Sequence, residues 1–258
     1  MKIPMFIGAL AIGLAAGLFG GLVGLGGGVI MVPLMVGALG LAQHRAHGTS
    51  LVAVVFTGLA GAIAYAMQGS IDVWAGVLLA LSAIVTARFG AIYANGLPEW
   101  KLKRAFGAFI IVISFLLLLK PYVPPLGLAQ ELWGRVAVLL LTGGVTGFLS
   151  AMMGVGGGTV MVPSMVLLLG MTQHLAQGSA LLAMVPASFV GAYTHYRLGN
   201  VERSILPGLI VGVFIGSYSG GSLAHLFPDA ELRAIFAVVL IATGVRYLRS
   251  GNGGKPRS

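Results

Sequence analysis

Residues 24–50 reappear, without a gap, as residues 154–180, and 15 of the 27 aligned positions are identical. The 130-residue register persists beyond that block: Gly61 falls on Gly191, Gly90 on Gly220, Pro98 on Pro228 and Phe106 on Phe236. One unit has been duplicated, and a Pro-rich connector joins the copies. Each unit carries five apolar segments, at about 3–23, 29–42, 48–67, 73–94 and 102–119, then 133–153, 159–172, 178–196, 204–226 and 232–248. An odd number of crossings per unit turns the second copy upside down relative to the first. The predicted fold is therefore an all-α polytopic membrane protein of about ten segments in two inverted five-segment repeats. The second segment of each unit has only about 14 residues, roughly 21 Å of helix against a hydrocarbon core of about 30 Å. It is expected to be a short, broken helix.

Lipid is the solvent this chain requires. Hydrophobic residues make up 58% of it and charged residues only 8%, too few to cover a surface in water. The net charge of +9 comes from Lys and Arg scattered between apolar segments, not gathered in a stripe, which argues against a nucleic-acid partner. With no cysteine, thiol chemistry is excluded. The start, MKIPMFIGALAIGLAAG, resembles a secretory signal, but its counterpart at Trp133–Gly147 lies inside the chain, so it reads as the first membrane helix. If all ten segments cross and both termini are cytoplasmic, eleven basic residues fall inside and three outside, with Arg88 left within a segment. The loop LPEWKLKR is basic, whereas its repeat partner FPDAELRA is acidic on balance, as opposite sidedness requires. The expected division is a first repeat over 1–120, a connector over 121–132, a second repeat over 133–249 and a basic cytoplasmic tail over 250–258.

Two duplicated constellations carry the functional reading. The first is GLGGGVIMVP at 24–33, repeated as GVGGGTVMVP at 154–163. For scattered glycines such as Gly13, Gly17 and Gly61, close helix packing suffices. Three in succession do not serve packing along one face. Gly26, Gly27 and Gly28, and likewise Gly156, Gly157 and Gly158, precede a short helix, where bare N–H groups and the helix dipole favour an anion. Inversion would point the two starts at one another near the bilayer centre. The second is Gln43, His44 and Thr49, repeated as Gln173, His174 and Ser179. These residues either line and gate an oxyanion path or cap helices at the surface, and His44 and His174 are candidates for a coupled proton. The six acids all fall in predicted loops, so no carboxylate is set to bind a cation in mid-membrane. Arg88 could be a counter-charge but reads more readily as snorkelling to the headgroups. Tyr193, His195 and Tyr196 read as an interfacial belt, with His195 lining the pathway as the alternative. No triad, paired acids or cluster of metal ligands appears, so no enzyme, metal or cofactor is expected.

The stretches GLVGLGGGVIMVPLMVGALGLAQHRAHGTS and GVGGGTVMVPSMVLLLGMTQHLAQGSALL resemble the TauE/SafE family of membrane proteins, the sulfite and organosulfonate exporters, across essentially the whole chain. The resemblance implies a transporter of a small, sulfur-containing anion across the inner membrane of a prokaryote. The partners expected are that anion, a coupled proton and the bilayer, with a homodimer compatible. One departure is Pro186 in the eighth segment, where the repeat partner is Phe56; a kink there could be where one side opens. An anion channel and a non-transporting membrane partner are the alternatives.

Overall fold

The computed structural model describes residues 3–93, 99–120 and 131–249. The connector at 121–130 and the tail at 250–258 lie outside the described residues. The chain is all-helical: α1 (Ile3–Val23), α2 (Gly28–Leu39), α3 (Gln43–Met67), α4 (Val73–Tyr93), α5 (Glu99–Leu119), α6 (Leu132–Met153), α7 (Gly158–Leu168), α8 (Gln173–Arg197), α9 (Leu206–Ala224) and α10 (Asp229–Arg249). A 3₁₀ turn, Arg203–Ile205, leads into α9. Six stretches are long and apolar enough to cross a bilayer, in α1, α3, α4, α6, α8 and Arg203–Ala224; α2, α7 and Gly107–Leu119 are shorter apolar helices. This is a multi-pass membrane protein.

Small residues decide which helices meet, since lipid gives apolar side chains no drive to leave it. Glycines spaced by four line one stripe of α1, and Gly13 and Gly17 lie against Leu209, Gly212 and Val213 of α9, which runs parallel to it. The repeat partners make the same pair: Gly143 and Gly147 of α6 pack on Leu79 and Ala83 of α4. Gly13 and Gly17 thus serve close helix packing, as expected from the sequence. Helices α3 and α8, themselves repeat partners, pack together and run antiparallel. Gly48 at the start of α3 touches Asn200 just past α8, Gly178 at the start of α8 touches Ser70 just past α3, and Gly58 lies against Leu181 and Val185 between them. Contacts therefore exchange under the 130-residue shift, with partner helices pointing in opposite directions.

Several predicted boundaries move. The Gln-His pairs do not sit in loops, because α3 and α8 begin at Gln43 and Gln173 and carry them in their first turns. Glu99, Asp229 and Glu231, placed in loops from the sequence, fall in the first turns of α5 and α10, and Asp229 and Glu231 there complement the helix dipole. The segments 24–28 and 154–158 meet inside the bundle, as expected from inversion of the repeats. Helices α2 and α7 start at that meeting point and run to opposite ends, each about half a crossing long at 12 and 11 residues. The order of the remaining segments is unaffected, since each short helix still delivers the chain to the end where α3 or α8 begins.

Candidate functional site

The two glycine stretches cross antiparallel. Gly28 faces the Gly154 carbonyl, Gly158 faces the Gly24 carbonyl, and between them Gly156 lies against Leu25 and Gly26. Gly26 also approaches Val54 of α3 and Met184 of α8, which places the crossing midway along both long helices. Only glycine suits this geometry: Gly26 and Gly156 have φ of 81° and 89°, and the chains touch backbone to backbone. All of residues 23–29 and 151–163 are buried, and the adjoining void, beside Gly27 and Phe19, holds about 10 Å³, no more than a single water. Gly27 and Gly157 each accept the first bonds of a short helix through their carbonyls, from Ile30 and Met31 and from Val160 and Met161. The Gly157 N–H points at Met184 Sδ, 2.9 Å away, a weak acceptor.

Beyond the crossing, the two ends differ. Toward Gln43, α2 turns outward: Val36, Gly37 and Ala38 are exposed. Beside it lies a cavity of about 300 Å³, lined by Val32, Pro33, Gln43, His47, Arg246 and Tyr247, with Met153 next to the glycine crossing. Here, among the described residues, an amide, an imidazole, a phenol and a guanidinium converge without a carboxylate, a set of donors suited to an oxyanion. A larger groove of about 650 Å³ between α3, α4 and α8 is walled by aliphatic residues such as Leu59, Ile63, Leu182 and Val185, and also by Pro186. It provides no comparable polar set.

Toward Gln173 the equivalent positions are shut. Val162, Pro163, Gln173 and Gln177 are buried, and Leu116 and Leu117 stand where the other end has Arg246 and Tyr247. A polar latch holds this end. The backbone N–H groups of Gln173 and His174 donate to Asp229, whose Oδ1 also lies 2.6 Å from His174 Nδ1. The His174 ring stacks on His225 at 5.0 Å between centroids, and His225 Nε2 meets Ser70 Oγ at 3.1 Å. Lys120 closes the rim by donating to the Met171 carbonyl. Burial holds the His225 imidazole below the ordinary histidine range, with His174 adding to the shift.

The candidate hydroxyls do symmetric work elsewhere. Thr49 Oγ1 accepts the Glu202 N–H, and Ser179 Oγ accepts the Asp72 N–H, both at 2.8 Å, so each repeat anchors the other's loop. Glu202 is fixed there by Ser204 and Arg45; its carboxyl is held below the usual range, chiefly by the Ser204 hydroxyl. Asp72 pairs with Arg135. His44 is exposed in the first turn of α3, and Arg88 is exposed on α4. His195 corrects the interfacial-belt reading: Tyr193 and Tyr196 are exposed, but His195 is buried, its Nε2 on the Ala151 carbonyl at 3.0 Å. Residues passed over in the sequence are His47, Gln177, Arg246 and Tyr247. The first two were detectable, because they stand four positions after Gln43 and Gln173 and so share a helix face with them. Among the described residues no group of three His, Cys, Asp or Glu is placed to hold a metal.

Comparison with known proteins gives the setting. A family model described as "Sulfite exporter TauE/SafE" matches residues 9–247. The chain is 28% identical to the "Probable membrane transporter protein YunE" of Bacillus subtilis, over 95% of this chain and 98% of that protein. It is 29% identical to a "Probable membrane transporter protein" of Xylella fastidiosa, over 91% and 90% of the two chains. It is 24% identical to the "Probable membrane transporter protein MJ0441" of Methanocaldococcus jannaschii, over 80% and 76%. No solved structure matches. A full-length family match, relatives of the same length and a bundle of apolar helices agree: the chain belongs to the TauE/SafE family, whose members are membrane transporters and not enzymes.

Proposed function

We propose that this protein is a secondary transporter that moves a small oxyanion, sulfite or an organosulfonate, across the cytoplasmic membrane by alternating access. One observation carries the reading: equivalent residues of the two repeats are in unequal states. Gln43 and His47 line a cavity, while Gln173 and Gln177 are buried. Two like halves held in unlike conformations can exchange roles, and the exchange moves access from one end to the other. The repeats form two inverted five-segment units, 1–120 and 133–249, with the connector and tail as read from the sequence and both termini cytoplasmic. The Gln43 end then faces the cytoplasm. Arg246 draws the anion in, and Gln43 and His47 donate to it. The amides of Gly26 to Gly28 and Gly156 to Gly158 receive it when α2 or α7 moves. That the Gly157 N–H rests on a thioether, which an oxyanion oxygen outcompetes as acceptor, favours this assignment.

Single-cysteine labelling tests the exchange on a background that has no native cysteine. Gly37→Cys, at a position with open space around it, should react with an impermeant maleimide from the cytoplasmic face, and its repeat partner Leu167→Cys should be protected. Sulfite in excess should change the two rates in opposite directions. Simultaneous reaction of both positions from opposite faces, unaffected by sulfite, would indicate an open channel instead.

Proton coupling is assigned to the latch. His225 has its affinity for protons lowered by burial in the closed state, so the open state binds more protons. Closure is therefore fully favoured above about pH 6.5, the ordinary histidine value, and weakens as pH falls below it. The groups facing this pair are Asp229, Ser70, Tyr65 and the Gly221 and Ala224 carbonyls, with Lys120 and Arg233 charged near Asp229. His174→Gln should flatten the dependence of flux on pH between about 5 and 8. An unchanged profile in liposomes would remove His174 from the coupling path, leaving His225 of the latch and the exposed His44 as candidates.

A further inference from the structure

The shut end contains a chemical inconsistency. Gln173 is 1% exposed, and neither its Nε2 nor its Oε1 has a hydrogen-bond partner. Gln177, one turn further along the same face of α8, is fully buried; its Oε1 accepts the Tyr65 hydroxyl at 2.6 Å, but its Nε2 is also unpartnered. Buried amides without partners are costly, and more so within a membrane bundle where no bulk water reaches them. A Leu or Met at the same buried position would be accommodated without that cost. The amides stand close to the glycine crossing, since Gln177 packs against Gly24. Their repeat partners, Gln43 and His47, line the open cavity.

We infer that Gln173 and Gln177 form a second oxyanion station, the counterpart of the Gln43 and His47 station, which accepts the anion when α7 swings outward as α2 has done here. This rests on the alternating-access reading above. The unpartnered Gln173 Nε2 and Gln177 Nε2 donate to anion oxygens, and Gln173 Oε1 accepts from an oxyanion that still carries a proton. The station lacks the guanidinium of its counterpart, for Leu116 stands in the place of Arg246 and the nearby Lys120 is engaged with the Met171 carbonyl. It therefore holds the anion more weakly than the Gln43 station and favours its release.

The test uses purified full-length protein in liposomes, with inorganic sulfite as the probe. In Gln173→Leu, and separately Gln173→Met, the thermal midpoint should stay level or rise, because an unpartnered amide has been removed and the backbone bond to Asp229 is kept. Sulfite should still slow maleimide labelling of Gly37→Cys introduced in the same variants, while sulfite counterflow should fall at least tenfold. Counterflow at the unsubstituted rate, or a thermal midpoint lowered by more than a few degrees in both variants, would overturn the second station and leave the carrier reading standing. Absence of both sulfite protection and counterflow in the unsubstituted protein would overturn the carrier reading for sulfite, and the second station with it.

Discussion

Gly158→Ala should strongly destabilise the folded protein, whereas Gly37→Ala should leave its stability unchanged. A methyl on Gly158 would be driven into the Gly24 carbonyl and would also lie 2.8 Å from Leu25 Cα. Both obstacles are backbone, belonging to the other repeat at the point where the two cross, and neither can rotate aside. Overpacking a core against side chains costs about 1–3 kcal/mol; against fixed backbone the upper part of that range is the minimum. For a chain of this length, about 3 kcal/mol corresponds to a fall of roughly 6–12 °C in Tm. Gly28→Ala, facing the Gly154 and Val155 carbonyls from the other side, should behave alike. Gly157→Ala is the informative contrast. Its neighbours are Thr146 Cγ2 at 2.9 Å and Met161 Sδ at 3.1 Å, side-chain atoms that can yield, and its φ of −83° suits any residue. The Gly157 variant should therefore insert and purify, and any loss of sulfite flux in it reports on function, not folding. Thermal denaturation of detergent-purified variants checks the order. Equal stability of Gly158→Ala and Gly37→Ala would show that the crossing is not built as described.

Arg246→Gln should raise the KM for sulfite uptake from the cytoplasmic face by about 10- to 100-fold with little change in Tm. Among the described residues lining the 300 Å³ cavity Arg246 is the one cation, and it stands on α10 opposite Gln43 and His47. A hydrogen bond to a charged group contributes about 1.5–3 kcal/mol. The side chain is exposed, so solvent screening moves the expectation toward the lower half of that range. Arg246→Lys should recover part of the affinity, keeping charge but losing the planar fork. Raising salt should weaken the unsubstituted protein more than Arg246→Gln. An unchanged KM would mean that the guanidinium serves the headgroup region and that the anion enters elsewhere.

How much of this was legible in the chain differs between fold and site. Duplication and recurrent apolar segments were enough to read a polytopic helical membrane protein, because those are properties of composition along the chain and each is decided locally by lipid or water. The glycine crossing was legible for the same reason: three successive glycines in lipid demand that backbone meet something closely. What they meet was not. In this conformation it is the other glycine stretch: the Cα faces of Gly28 and Gly158 lie against backbone carbonyls, and the Gly157 amide, one of those that suggested an anion, rests on a methionine sulfur.

The site was read only in fragments. Gln43, His44, Gln173 and His174 stood out because they recur as adjacent pairs, yet the cavity is completed by His47, four residues on, and by Arg246 and Tyr247, some 200 residues away. The repeat itself drew attention away from them, since Arg246 and Tyr247 are matched by Leu116 and Leu117 and His47 by Gln177. A search for what the halves share passes over where they differ. The sequence by itself determined the solvent, the doubling and the position of the breaks, because each follows from which side chains lipid tolerates. Only the tertiary structure decided which end is open, since that choice is a difference in packing between two nearly equivalent halves, and near-equivalent sequences do not encode which of them yields.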